Sequence, residues 1–144
     1  MLEYQRIEEA GNLPDLERLK PFKAVVIIET QISQKRQADV SDWLVRSGCR
    51  YMMAWGPGCS GWDDSVDLAN LQRFSFGDIP DKEFVMTTWH DGDSLDDVFH
   101  FARTFAVTYD QSEALPNALL LHLSEVDKRN ELEIRYGASG QAGV

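Results

Sequence analysis

The chain has 144 residues, 43% hydrophobic and 26% charged, with 24 acidic against 14 basic residues and a net charge of −10. A domain of this length buries roughly 70% of the surface its unfolded chain exposes, so a core forms without metal or disulfide staples. The acidic balance, with no basic cluster denser than Lys35-Arg36, argues against direct contact with nucleic acid or anionic lipid. No apolar run approaches the ~20 residues that cross a bilayer. The opening residues Met1 to Glu9 lack the blocks of a signal peptide, so the expected location is cytoplasmic and no membrane contact is expected. Cys49 and Cys59 are too few for a disulfide framework and form no Cys-x-x-Cys pair.

Residues 1–21 read as a polar N-terminal segment broken by Pro14 and Pro21. Leu13, Leu16 and Leu19 are spaced for a short helix over 14–20. Phe22 to Ile28 is β-branched and almost continuously apolar, the mark of a strand covered on both faces. Residues 31–47 read as a helix stopped by Gly48. A second strand follows over 50–55, then a Gly/Pro loop over 56–60. Ser60 is placed to cap the next helix, whose inner side carries Trp62, Val66 and Ala69. The third strand is Phe84 to Trp89. Its helix is the clearest in the chain: Ser94 caps it, and Leu95, Val98, Phe99, Ala102 and Phe105 follow helical spacing.

Ala118 to Leu123 reads as a fourth strand. Residues 125–136 are ambiguous, because Leu132, Ile134 and Tyr136 alternate as in a strand while topology favours a helix; 137–144 reads as a frayed tail. The alternation predicts one three-layer α/β domain over 22–136. Its sheet is mostly parallel, with four or five strands and helices on both faces, flavodoxin-like or Rossmann-like.

In such a sheet all strand carboxyl ends share one edge, and the turns there form the binding crevice. That edge is expected to collect Glu29, Trp55, Trp62, Asp63, Asp64, Trp89, His90 and Asp91, with Cys59 in the second turn and His122 or Ser124 after the fourth strand. Cys59 precedes a helix start and, with His90 as base, has the parts of an activated nucleophile; Asp63 and Asp64 oppose a thiolate there. Asp63, Asp64 and His90 are also a hard-cation donor set, although aspartates at helix starts serve as caps. No metal ligand set and no cofactor is singled out. Gly56, Gly58 and Gly61 suit either a phosphate cradle or a tight turn, and the two acids that follow argue for the turn. The tryptophans can form an apolar wall for a ligand or a partner.

Tyr51-Met-Met-Ala-Trp-Gly, Cys59-Ser-Gly-Trp-Asp-Asp-Ser-Val-Asp67 and Val85-Met-Thr-Thr-Trp-His-Asp91 resemble a family of small bacterial proteins that is a domain of unknown function, with these turns as its signature segments. The resemblance spans about 22–124 and implies no activity. Ser60-Gly-Trp62 is also faintly similar to Toll/interleukin-receptor-type domains, but Val66 stands where their glutamate would be. The expected function is a ligand- or protein-binding module using the carboxyl edge. The alternatives are a hydrolase using Cys59 and His90 or a metal held by Asp63, Asp64 and His90, and an acidic inhibitor of a basic protein.

Overall fold

The computed structural model describes residues 1–139. Five strands form one all-parallel sheet: β1 (Leu2–Ile7), β2 (Phe22–Ile28), β3 (Cys49–Trp55), β4 (Met86–His90) and β5 (Asn117–Leu123), in the order β1-β5-β2-β3-β4. Among the described residues, α1 (Gln34–Ser47), α2 (Cys59–Arg73) and α3 (Leu95–Thr104) join successive strands from β2 to β5, and α4 (Arg129–Ser139) follows β5. This is the expected three-layer α/β fold, of flavodoxin or Rossmann type. No helix among the described residues is long and apolar enough to cross a membrane.

Side-chain alternation along the strands builds two cores. Ala24, Val26, Ile28, Met52 and Ala54 point to one face, where Val40 and Leu44 of α1 and Trp62, Val66 and Ala69 of α2 cover them. Val25, Ile27, Tyr51 and Met53 point to the other, under Val98, Phe99 and Ala102 of α3 and Leu132 and Tyr136 of α4. Every residue of β2 is buried, as its continuous apolar run requires.

Several expectations change. The segment 1–21 is not merely a polar lead-in. Residues 2–7 form edge strand β1, which pairs with β5, and the short helix contracts to a single 3-10 turn over Glu17–Leu19. Helix α1 starts three residues late, where the Ser33 hydroxyl accepts the Arg36 N–H at 3.1 Å. Helix α2 starts at Cys59 behind Gly58, so Ser60 lies inside it and is not its cap. Ser94 does cap α3, accepting the Asp97 N–H at 3.1 Å. The ambiguous segment is helix α4: Leu132 and Tyr136, four residues apart, are buried, while Ile134 is 71% exposed. Helix α4 also takes in 137–139 of the expected tail; 140–144 lie outside the described residues.

Gly56 sits at φ +110, and a Cβ there would lie 2.4 Å from the Ile28 carbonyl oxygen. Gly92, at φ +84, has open space around it. Gly56→Ala is therefore expected to cost about 2 kcal/mol or more and Gly92→Ala about 1 kcal/mol in urea unfolding; equal midpoints would contradict this packing.

Candidate functional site

The chain reverses direction across its sheet between β2 and β5. Connections after β2 run over the α1/α2 face toward β4, then α3 carries the chain back over the other face to β5. Ligands in such sheets bind outside the carboxyl ends of the strands. Here that rim carries two built features.

The first is a cavity of about 410 Å³ between the β3–α2 and β4–α3 turns. It is lined by Trp55, Gly56 to Ser60, and Trp89 to Asp93. The structure thus brings together Trp55, Cys59, Trp89, His90 and Asp91 of the expected set. Trp89 is half exposed, whereas the Trp55 indole is fixed by donating to the Asp93 carbonyl at 2.8 Å. His90 ends β4 instead of opening a turn; its ring lies 2.9 Å from the Thr88 hydroxyl, 3.4 Å from an Asp93 carboxylate oxygen and edge-on to Phe101. Cys59 is buried, and the hydrogen bonds of the His90 ring go to Thr88 and Asp93.

Other expected residues stand elsewhere. Trp62 is 2% exposed and packs into the α1/α2 core with Val66 and Ala69, the inner side of α2 on which helical spacing puts it, and so it does not reach the rim. Asp63 and Asp64 lie on the first turns of α2, outside the lining of the cavity. Among the described residues no three His, Cys, Asp or Glu side chains come together to hold an ion. The glycines carry the G-x-G-x-x-G spacing of dinucleotide-binding turns, and Gly56 and Gly58 sit at φ +110 and φ +77, as the tight-turn reading requires. Gly56 also answers to a close internal contact, the Ile28 carbonyl oxygen, while the Gly61 carbonyl accepts from Gln37 of α1 at 3.0 Å.

The second feature lies at the reversal itself and was only half legible. His122 is fully buried in β5, and its Nε2 is 2.5 Å from Oε1 of Glu29 at the end of β2. Its Nδ1 is 2.6 Å from the Tyr4 hydroxyl of β1, which accepts the backbone N–H of Lys128 at 3.1 Å. The Lys128 ammonium closes the ring on Glu29 Oε2 at 3.1 Å. Only one assignment gives the buried phenol proton an acceptor: Tyr4 O–H donates to Nδ1, and Nε2–H donates to Glu29. A histidine inside the apolar run Ala118 to Leu123 was the sequence signal, since a buried imidazole needs partners. Tyr4 stayed hidden because its strand was not recognised.

The chain belongs to the family described as Domain of unknown function (DUF7684), matched over residues 2–139. Comparison with curated proteins and with solved structures finds no match. The family match takes in β1, the strand that supplies Tyr4.

The His122 hydrogen bond holds the Glu29 carboxyl below its ordinary range, helped by Lys128. A lowered folded-state value stabilises the fold above the usual carboxylate pKa of about 4.3. That stabilisation is lost as pH falls through the folded-state value. Glu29→Gln is expected to flatten the loss of stability below about pH 4.5; an acid unfolding curve as steep as the wild type would contradict the assignment. Burial pushes the Cys49 thiol up to about 12, so alkylation of Cys49 is expected only on unfolding, which mass spectrometry of the native and urea-treated protein checks.

Proposed function

We propose that this protein is a binding module whose ligand enters the cavity between the β3–α2 and β4–α3 turns, the two signature segments of the sequence. The observation that supports it is the convergence of both turns on one cavity of about 410 Å³, within the size range of small-molecule sites. No Lys or Arg is among the lining residues, whereas Asp91 and Asp93 are. An anionic ligand would find no counter-charge there. A ligand with an apolar body and a positive group would find the half-exposed Trp89 ring and two carboxylates. The basic group can belong to a small molecule or to a side chain of a protein partner, in keeping with a net charge of −10.

A second reading is a hydrolase that uses Cys59 and His90. It is favoured by one observation, that both line the same cavity with Cys59 in the first turn of α2. In that reading the ligand draws the two groups into reach of one another.

Benzylguanidinium and a short arginine peptide are suitable probes, read by tryptophan fluorescence. Trp89→Ala is expected to weaken binding by about tenfold, and Asp91→Asn with Asp93→Asn by a similar factor that shrinks at high salt. Trp62→Ala should instead cost about 3–5 kcal/mol of stability. Equal affinity of the Trp89 and aspartate variants for both probes would remove the proposal.

A further inference from the structure

We propose that two copies of this chain associate through the open edge of β4, pairing β4 with itself in antiparallel fashion about a two-fold axis. The two edges of the sheet are built differently. β1 carries Glu3 and Arg6, and these are held in ion pairs with Arg18 and Glu8. Charges of this kind blunt an edge against further pairing. β4 reads Met-Thr-Thr-Trp-His, with no Asp, Glu, Lys or Arg and no proline. None of its five residues is fully buried, although every residue of β2 and all but the last of β3 are. Its outer row of backbone groups has no strand beside it.

The apolar surface follows the same edge. Trp89 is 50% exposed on β4, Leu71 39% on the adjoining part of α2, and Phe76 65% in the turn between α2 and β4. Phe105 (59%) and Tyr109 (48%) extend the patch past α3. Phe105 is linked to β4 through Phe101, on which His90 packs, and Tyr109 packs on Phe84, two residues before β4, with ring centroids 4.4 Å apart. The exposed parts of these side chains amount to on the order of 500 Å² per copy. That is a large share of the ~800 Å² per partner that a standard interface buries, before any paired backbone is counted.

The open edge and the apolar area beside it, not charge, favour a second copy as the occupant. A chain with a net charge of −10 repels its own copy over most of its surface. The five residues of β4 carry no full charge, so that repulsion is least along this edge, although the Asp67 carboxylate held by Thr87 lies beside it. A two-fold antiparallel pair uses the same unpaired groups on both copies and closes the assembly at two, giving a ten-stranded sheet. The cavity opens at the carboxyl ends of the strands, and Trp89 and His90 of β4 border both the cavity and the paired edge. The inference does not depend on what binds there.

Sedimentation equilibrium of the full chain tests this, and it is expected to return twice the chain mass. Leu71→Lys combined with Phe105→Lys is expected to raise the dissociation constant at least 100-fold with an unchanged circular dichroism spectrum. Hydrogen exchange is expected to show β4 amides protected in concentrated solution and released on dilution. A wild-type monomer at millimolar concentration would overturn the proposal. So would a dimer indifferent to both substitutions whose β4 amides exchange freely.

Discussion

The parallel hydrogen-bond ladder around β2 is the constraint from which the rest follows. Ile28 stands level with Leu123 of β5, Ile27 with Trp55 of β3, and Trp55 with His90 of β4. Four neighbouring strands therefore end within a residue or two of one another, and their turns have no choice but to meet on one rim. A slip of one residue in any pairing would turn its apolar set to the wrong face. Two packed cores hold the register, and the register holds the site.

The rim is also tied together across its width. Tyr4, His122, Glu29 and the start of α4 form a closed set of hydrogen bonds that reaches from the outermost strand β1 to the central β2. A buried imidazole without partners would cost several kcal/mol, so the set persists only when all members are present. It fixes the carboxyl end of β5 and the entry of α4 beside Trp55, which lies between this network and the cavity of the β3–α2 and β4–α3 turns. The fixed Trp55 and the freer Trp89 give that cavity one rigid wall and one adaptable wall.

Most of the sheet could be read from residue patterns. β2 announced itself because a strand covered on both faces must be apolar throughout, and α3 because its cap and its stripe of Leu95, Val98, Phe99 and Ala102 agree. β1 escaped because an edge strand buries only part of itself; Tyr4 and Ile7 are buried amid Glu3, Gln5 and Arg6, and its partner lies at the far end of the sequence. The site was legible in its turns and not in its orientations. Trp62 was expected both on the inner side of α2 and at the rim, and its helical spacing to Val66 and Ala69 puts it in the core, behind an αL glycine at position 58 that starts the helix two residues before the expected cap predicts. His122 and Glu29 were each visible, but their meeting rests on a pairing between residues 93 positions apart.

Chemical-shift mapping on the ¹⁵N-labelled protein with a library of small organic cations tests the central claim most directly. The account predicts that compounds which bind move the Trp55 and Trp89 indole signals together with the amides of Gly56, Cys59, Ser60 and Asp91. Compounds that shift only residues distant from both turns, or that move one turn without the other, would contradict it.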